Sequence, residues 1–532
     1  MNSTSWRSLL VLACCTLAAY SSYASDNETT TSTCQPMTVE FINQPIFSDD
    51  IEQHYFFHDW ANKLHINTTE STLRQESSWF VSQCQLTAKQ LAEWERKLRK
   101  LSYIEEADIK VDDKAAKVTV TTRDNWSLLP TLDFSRKGGK NRYALGVKER
   151  NFLGRGIELD LKTFENSRRS GFIANATVPH VLFANSELGL RFADNDDGQQ
   201  QAISLAKKFA SSADSYAYKL FYNDNERVDT LFHNDNDEYE YGHDILNYFA
   251  SYQHLLSNNQ QRFWRMQFGY GLDRHRFAIE DDNTAPFLPA DREFSALFVG
   301  LEFQQKQHQK LSNIYQVGKI EDINFGWHIQ SRLAISDGQD DNTRDSSWQL
   351  SASKFFNLGA QWYLAFNSAV DYDQNHQQDR TRALVTGELF WTLADRWTLY
   401  LKSANQYSDN EYLDRIVTIG GDTGLRGYPV QYQHGENSHL YTLEGRYYPN
   451  LNWWRLFNVA GVAFYDRGKA TGDSILVNDE DGWLDSVGLG LRLYSPHAAG
   501  DNKVIHVDLA YALSDNDDVK GLEIRLLARR HF

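Results

Sequence analysis

Beyond its first two dozen positions, the sequence lacks any uninterrupted apolar run of about eighteen residues, so no helix is expected to span a bilayer. It also lacks an excess of basic charge. Its formal net charge is -17, which argues against a nucleic-acid partner because phosphate binding needs a basic surface. It contains no Gly-x-Ser-x-Gly elbow, His-Glu-x-x-His pair or paired-cysteine metal site. No catalytic residue, metal or other cofactor is therefore predicted, and an enzyme with a dispersed triad is the least favoured alternative.

The first residues have the layout of an export signal. Arg7 supplies a positive start, Leu9 to Ala19 is a short apolar run, and Ser22-Tyr23-Ala24 resembles a small-x-small cleavage site. Residues 1–24 are therefore predicted to be a signal peptide that is removed from the mature chain.

Cysteine is scarce: the chain has 4, and two of them, Cys14 and Cys15, lie within the predicted signal peptide. The mature chain would keep Cys34 and Cys84, and two thiols in an exported protein predict one disulfide. Two unpaired thiols are the alternative. Lipidation at Cys14 is a weaker alternative, because Leu12 stands where a small residue is preferred.

A short polar leader and a mixed segment follow the signal. Residues 25–33 are low in complexity and are predicted to be disordered. Residues 34–126 show the pattern strand, helices, strand, strand. The clearest helix starts at Thr87 and Gln90, which form a capping box, and it has apolar residues at spacings of three and four. Two alternating segments then predict strands that cover this apolar face. The segment is therefore predicted to be a β-α-α-β-β unit.

Residues 127–532 lose the helical period and alternate apolar with polar side chains, as Leu364 and Phe366 alternate with Ala365 and Asn367. Aromatic residues make up 13% of the chain, and membrane barrels concentrate them at the two interfaces. The pattern predicts a mainly β chain with a C-terminal transmembrane antiparallel β-barrel. At about 25 residues for each strand and its connection, 16 strands are expected, although 14 or 18 would also fit.

The last alternating segment runs from Gly521 to Phe532 and ends on an aromatic residue, as many outer-membrane barrels do. A water-soluble β-sandwich or propeller is the alternative. The aromatic content, the predicted signal peptide and the lack of a blade-length repeat disfavour it. The barrel is therefore expected in the lipid of the outer membrane of a Gram-negative bacterium.

The most specific segment is IGGDTGLRGYP, residues 419–429, inside a long polar connection. Its core, Gly424-Leu425-Arg426-Gly427-Tyr428, resembles the Arg-Gly-Tyr/Phe loop motif of the BamA/TamA outer-membrane assembly superfamily, the bacterial surface-antigen barrels. This resemblance implies a loop that folds back into the barrel lumen, where its arginine meets carboxylates of the wall. An arginine suits that role because its planar fork can hold a carboxylate through two parallel hydrogen bonds. An exposed turn is the alternative.

Two carboxylates stand where the resemblance expects them. Phe464-Tyr465-Asp466-Arg467-Gly468 resembles the Phe-x-Asp-x-Gly strand motif of the superfamily, and Glu444 resembles the acidic position of the strand after the loop. Strand phase places Glu444 on the inward face independently, because Thr442, Glu444 and Arg446 alternate with mainly apolar residues. Arg426, Glu444 and Asp466 are therefore predicted to meet in the lumen.

The resemblance extends to the N-terminal part of the chain. Residues 34–126 look like one POTRA domain, the periplasmic module of the superfamily. Glu149-Arg150-Asn151-Phe152-Leu153-Gly154-Arg155-Gly156 resembles the signature of its second barrel strand. BamA has five such domains, TamA three and two-partner secretion transporters usually two, so a single one leaves the subfamily and the substrate open.

The resemblance implies a barrel that assists the insertion or translocation of client proteins. The POTRA-like domain would receive an unfolded outer-membrane or secreted client, or another periplasmic partner, and the first and last barrel strands would meet at a weak seam. Two other functions stay open. One is a two-partner-type pore that secretes a single protein. The other is a passive porin or surface receptor, which would leave the arginine loop and the POTRA-like segment unexplained.

Overall fold

The computed structural model describes residues 37–530, except 45–65, 113–115, 184, 210–213, 234–236, 260, 281–286, 338–343, 375–378, 455, 475, 496–502, 515, 517–518 and 520. The predicted signal peptide and leader, Cys34 and Phe532 lie outside the described residues. The pairing of Cys34 with Cys84 therefore stays a prediction. No helix in the described ranges is long and apolar enough to cross a membrane.

The described chain begins with a small mixed sheet and three short helices. The strands are β1 (Thr38–Gln44), β2 (Ile104–Asp112) and β3 (Lys117–Asp124), and the helices are α1 (Glu70–Glu76), α2 (Ser78–Val81) and α3 (Ala88–Arg99). The central strand β3 pairs parallel with β1 and antiparallel with β2. We call this unit the N-terminal sheet.

Helix α3 begins at a capping box and is held by its apolar face. The amide of Gln90 donates a hydrogen bond to the Thr87 hydroxyl, and the Thr87 amide donates one to the Gln90 side chain. Trp94 is fully buried in one cluster with Val118 and Val120 of β3. Because an isolated helix of this length is marginal in water, the packing of this face on the sheet supplies most of its stability.

The prediction of a POTRA-like domain over residues 34–126 is wrong. Only the small N-terminal sheet and its short helices precede the barrel among the described residues, and residues 45–65 lie outside them. Apolar periodicity specifies local elements and a shared buried face. Three strands and α3 already bury that face, so the sequence pattern is satisfied without a complete domain.

The rest of the described chain is almost entirely strand. The strands are β4 (Leu128–Lys137), β5 (Lys140–Phe152), β6 (Ile157–Asn166), β7 (Ser170–Pro179), β8 (Ser186–Asn195), β9 (Gly198–Lys207), β10 (Tyr216–His233), β11 (Asp237–Asn259), β12 (Arg262–Ile279), β13 (Arg292–Gln305), β14 (His308–Ser312), β15 (Ile320–Asn324), β16 (His328–Asp337), β17 (Arg344–Gly359), β18 (Trp362–Gln374), β19 (Asp379–Ala394), β20 (Trp397–Asp409), β21 (Val417–Ile419), β22 (Gln433–Gly435), β23 (Asn437–Trp453), β24 (Phe457–Thr471), β25 (Leu484–Tyr494), β26 (Lys503–Ala512) and β27 (Leu522–Arg530).

Twenty of these strands form the wall of a closed antiparallel barrel. The wall runs in chain order, with β13 joined to β16, β20 joined to β23, and β27 joined back to β4. The four short strands left over form two separate hairpins, β14 with β15 and β21 with β22. Both hairpins belong to connections that enter the barrel.

The prediction of 16 wall strands is wrong, because the barrel has 20. An average of about 25 residues for a strand and its connection is too generous for the first part of the wall. Only Gly138 and Gly139 join β4 to β5, and only Asp196 and Asp197 join β8 to β9. A hairpin needs no more than two such residues, so chain length alone does not fix the strand number.

The wall turns apolar side chains outward and polar side chains inward. In β25, Leu489 and Leu491 are exposed, whereas Ser486 and Arg492 are buried on the opposite face. Each strand side that faces the surroundings must be apolar if those surroundings are lipid. The two-residue period in the sequence therefore indicates which residues of the wall face the lumen and which face the surroundings.

The two ends of the barrel differ in what they contact. We call the end that touches the N-terminal sheet the sheet-side rim, and the end that holds the β4–β5 turn the far rim. At the sheet-side rim, the Thr72 hydroxyl donates to the Gly154 carbonyl at 2.8 Å. The Asn151 side-chain amide donates to the Thr68 hydroxyl, also at 2.8 Å. The segment 149–156 thus joins the N-terminal sheet to the wall.

Gly156→Ala is expected to loosen the N-terminal sheet from the wall. Gly156 has a φ of 66°, and a Cβ there would lie 2.8 Å from the Tyr103 hydroxyl oxygen. The clash adds to a backbone strain of about 1–2 kcal/mol. Gly359→Ala is the matched control, because Gly359 has a φ of 81° and no atom within 4 Å of a Cβ.

Limited proteolysis measures this effect. The N-terminal sheet of Gly156→Ala should be cut faster than that of Gly359→Ala, while both barrels keep the gel mobility of the folded form. Equal cleavage rates would show that the contact with Tyr103 does not hold the sheet in place.

Candidate functional site

The connection between β20 and β23, residues 410–436, folds back into the lumen from the far rim. The β21–β22 hairpin forms its base, and its tip packs against the wall. Leu425 and Tyr428 in the tip are fully buried. Gly427 between them has a φ of 88°, and a Cβ there would lie 3.1 Å from the Ala512 amide nitrogen in β26. Glycine therefore permits both the backbone turn and the close approach to the wall.

Arg426 attaches the loop tip to two carboxylates of the wall. Its Nε lies 2.5 Å from Asp466 Oδ2 and its Nη2 lies 2.7 Å from Asp466 Oδ1, which is a bidentate pair. Its Nη1 lies 2.9 Å from Glu444 Oε1. The residue is 4% exposed, and its guanidinium lies 3.4 Å from the centroid of the Phe464 ring. The structure thus brings Arg426, Glu444, Asp466 and Phe464 together.

Further charged side chains surround this pair. Arg492 Nη1 lies 2.5 Å from Asp508 Oδ1, and Asp508 Oδ2 lies 3.8 Å from Arg426 Nη1. Arg446 Nε lies 2.9 Å from Glu444 Oε2. We call the six residues the lumen charge cluster: Arg426, Glu444, Arg446, Asp466, Arg492 and Asp508. Three arginines face three carboxylates, so each buried charge has a partner, without which it would be strongly destabilising.

Sequence analysis did not identify Arg446, Arg492 and Asp508 as partners of the loop. Each of them points to the inward side of its strand, together with a residue of the motif or with other polar residues. That direction is the signal that could have found them. The distance along the chain, however, gives no indication that strands β23, β25 and β26 present these charges at the same depth of the lumen.

The charge of Arg426 is held in place by its surroundings. Burial alone would lower the pKa of the Arg426 guanidinium, but the adjacent Asp466 and Glu444 outweigh that effect and raise the pKa above its ordinary value. The loop tip therefore carries a positive charge throughout the physiological pH range. Its position in the lumen depends on its pairing with Asp466 and Glu444.

Two motif glycines leave space for the loop, and one predicted glycine lies apart from the site. A Cβ at Gly468 would lie 3.0 Å from Ile419 Cδ1, and one at Gly424, which has a φ of 123°, would lie 3.1 Å from Leu440 Cδ2. Gly521 stands just before β27, and no atom lies within 4 Å of its Cβ position. Gly521 therefore marks only the start of the last strand.

The loop also lies across the join between the last and first wall strands, which we call the seam. Glu523 of β27 accepts hydrogen bonds from the Gly139 amide at 3.1 Å and from the Gly427 amide at 3.0 Å. Gly139 belongs to the β4–β5 turn. Across the seam, Leu526 and Arg136 are the single register pair among the described residues, whereas every other neighbouring pair of wall strands has at least eight. Glu523 thus links the loop to both sides of the weakest join.

A second insert enters the lumen from the sheet-side rim. It is the β14–β15 hairpin, and its turn is held by the wall. Arg446 Nη1 donates to the Ile314 carbonyl and the Tyr448 hydroxyl donates to the Asn313 carbonyl, both at 3.2 Å. Ile314 is buried in a cluster with Phe390. Sequence analysis missed this insert, because its two short strands have no feature that distinguishes them from wall strands.

Glu444 and Arg446 connect the two inserts. One oxygen of Glu444 binds Arg426 of the loop, and the other binds Arg446, whose second nitrogen binds the Ile314 carbonyl of the hairpin. Movement of either insert therefore changes the partners of the residues that hold the other.

Several solved structures resemble this chain. BamA from Haemophilus ducreyi lacking POTRA domains 1-3 matches with a TM-score of 0.39 and 14% identity, over 92% of this chain and 83% of that one. CdiB from Acinetobacter baumannii matches with 0.44 and 13%, over 93% and 73%, and CdiB from Escherichia coli with 0.42 and 11%, over 94% and 91%. BamA, which the loop motif resembles, is thus among the structural neighbours. Likeness at this level carries no conclusion about function.

No protein-family model and no curated protein matches the sequence.

Arg426→Ala is expected to destabilise the folded barrel by about 3–5 kcal/mol, because it leaves the buried Asp466 without its bidentate partner and removes one of the arginines that pair with Glu444. Arg467→Ala is the matched control. Arg467 follows Asp466 on the same strand, and its Nε lies 3.7 Å from Asp485 at a half-exposed site, where an ion pair is worth about 0–1 kcal/mol. Urea unfolding, followed by the gel mobility of the folded barrel, measures both. Equal midpoints would contradict a buried arginine pair.

Docking of the β14–β15 hairpin is expected to weaken as the pH rises. Burial raises the pKa of Glu321 from 4.5 to about 7, although the amides of Ile314 and Tyr315 donate to it and act in the opposite direction. The docked hairpin therefore binds more protons than the undocked one between these values, so the stability of docking falls across this window and levels off above it.

Hydrogen exchange of the hairpin amides measures this docking, after correction for the intrinsic rate at each pH. Protection should be greater at about pH 5 than at about pH 8. Glu321→Gln should remove the difference, because an amide does not titrate. A pH-dependent protection that persists in Glu321→Gln would assign the effect to another group.

Proposed function

We propose that this chain is an outer-membrane barrel that helps client proteins to insert into the outer membrane. The observation that carries the proposal is the loop that Arg426 attaches to the wall and that also bonds Glu523 at the seam. The sequence motif of this loop resembles that of the BamA/TamA superfamily, and the predicted signal peptide agrees with a place outside the cytoplasm. We place the N-terminal sheet in the periplasm, so that the sheet-side rim faces the periplasm.

The seam is the part of the wall at which a client strand can enter most easily. An unpaired backbone group is costly in lipid, so a strand of the wall can leave its neighbour only if few hydrogen bonds are lost or if another strand replaces it. Among the residues that the structure describes, strands β27 and β4 share one register pair, Leu526 with Arg136. Once apart, their edges offer amides and carbonyls to an incoming strand, which adds to the sheet.

The loop couples this opening to the interior of the barrel. Glu523 accepts from Gly139 on one side of the seam and from Gly427 of the loop. Separation of β4 from β27 removes the first of these bonds. The second bond and the Arg426 pair then keep the loop against β27, so that the first hairpin moves away while the last strand stays supported.

Insertion through the wall fits a lumen that holds two attached inserts better than secretion through that lumen does. The arginine loop and the β14–β15 hairpin both lie in the lumen and reduce the space for an extended chain that passes along it. Both are attached through Glu444 and Arg446. Opening of the seam requires neither insert to leave, which is why we favour insertion over a secretion pore.

A disulfide across the seam tests this mechanism. Arg136→Cys with Leu526→Cys places thiols at register partners of the seam. In lipid vesicles, the reduced protein should accelerate the folding of a urea-unfolded, eight-stranded outer-membrane barrel, and oxidation should abolish that acceleration. Thr163→Cys with Phe172→Cys, which joins register partners of β6 and β7, is the matched control and should leave the rate unchanged.

Two results would contradict the proposal. If the oxidised seam variant is folded and still accelerates client folding, insertion does not use the seam. If the unmodified chain never accelerates folding, the barrel is not an insertase, and release of a client through the lumen becomes the function to examine.

A further inference from the structure

We propose that the far rim holds a binding site for a divalent first-row transition metal such as Zn²⁺, formed by His243, His275 and Asp414. His243 lies on β11 and His275 on β12, whereas Asp414 lies in the 3-10 turn Leu413–Arg415 at the start of the arginine loop. One ligand atom of each residue lies within 4.8 Å of the other two. The proposal is independent of the insertase function.

The hydrogen bonds of the two imidazoles point to a cation between them. His243 Nδ1 lies 2.6 Å from Asp229 Oδ2, and His275 Nε2 lies 3.0 Å from Asp273 Oδ1. Carboxylates only accept hydrogen bonds, so both of these nitrogens carry the proton of the neutral ring. The remaining nitrogens, His243 Nε2 and His275 Nδ1, then point lone pairs at each other across 2.8 Å. Such an arrangement requires a cation between them.

The surroundings of the two rings are those of metal-binding histidines. A histidine that binds a metal usually donates its other N–H to a carboxylate, which fixes the tautomer and the orientation of the ring. Asp229 and Asp273 supply that carboxylate to His243 and His275 respectively. The ring of Phe277 also stacks on His243, with centroids 4.4 Å apart. The two imidazoles are thus held in the orientation that a metal ion needs.

Asp414 distinguishes a metal site from a proton shared by two rings. A shared proton needs only the two imidazoles, whereas imidazole and carboxylate together suit zinc and its neighbours in the first transition row. Arg292 holds Asp414 through two hydrogen bonds of 2.7 and 2.8 Å. A carboxylate has about four lone-pair positions, so this pair orients Asp414 and leaves positions for an ion.

The spacing fits a tetrahedral ion. Ligands at about 2.0–2.1 Å from Zn²⁺ stand about 3.4 Å apart. This separation is longer than the 2.8 Å between the two facing nitrogens and shorter than the 4.8 Å within which the ligand atoms of all three residues lie. To reach it, the facing nitrogens would separate by about 0.6 Å and the Asp414 oxygen would approach by at most about 1.4 Å, which leaves a fourth position open to water.

The site would attach the root of the arginine loop to the wall. Asp414 belongs to the same connection as Arg426, but His243 and His275 lie on wall strands far around the barrel from Asp466. A bound ion would therefore reinforce the attachment of the loop root at the far rim, where Arg292 already holds Asp414. Removal of the ion should weaken this attachment while the Arg426 pair still holds the loop tip.

Cobalt binding tests the site in the full-length, tag-free chain in detergent. After treatment with a chelator, the protein should bind one Co²⁺ per chain with the visible absorption of a low-coordinate site. Loss of a carboxylate that hydrogen-bonds a metal-binding histidine costs about 10–100-fold in metal affinity, and we expect Asp229→Asn to weaken binding within about that range. Asp414→Asn and His243→Gln remove ligands of the ion and should weaken binding by at least as much. His254→Gln is the matched control, because His254 is an exposed histidine of the same strand.

A second measurement follows the fold. Zn²⁺ should raise the urea midpoint of the unmodified barrel and of His254→Gln but not that of Asp414→Asn, whose near-isosteric side chain preserves folding. The proposal is overturned if the unmodified chain binds no Co²⁺, which would leave a shared proton between the rings. It is also overturned if Asp414→Asn and His243→Gln are folded and bind Co²⁺ as tightly as His254→Gln.

Discussion

A guanidinium buried inside a barrel must be paired, and the rest of the lumen is organised around that requirement. Arg426 is carried by a loop, so its partners have to come from the wall. Asp466 and Glu444 supply them from neighbouring strands, and Arg446, Arg492 and Asp508 then balance the added charges. The cost of leaving any one of these charges unpaired makes the cluster specific for a single position of the loop.

This arrangement combines firmly attached inserts and weakly paired strands in one region of the wall. The loop from the far rim and the hairpin from the sheet-side rim both depend on strand β23, through Glu444 and Arg446. The seam between β27 and β4 lies on the other side of the loop and is bridged by Glu523. The two inserts are therefore attached to the wall close to the place where the pairing of its strands is weakest.

A sequence prediction is more accurate when the interaction on which it rests joins residues that are close together in the chain. The capping box at Thr87 is a contact between residues three apart, and it is present in the structure. The inward direction of Glu444 follows from the two-residue period of a single strand. The strand number and the POTRA-like domain were predicted wrongly, because both depend on how many elements the chain packs together. The β14–β15 insert was missed for the same reason.

The sequence by itself determined which residues of a strand such as β23 face inward, and the resemblance of its loop motif implied that Arg426 meets carboxylates of the wall. Those properties are local, since strand period and backbone conformation depend on neighbouring residues. Only the tertiary structure decided that twenty strands close the wall, that Asp508 reaches Arg426, and that Glu523 bridges the seam. These contacts join residues far apart in the chain, and their geometry is set by the closure of the barrel.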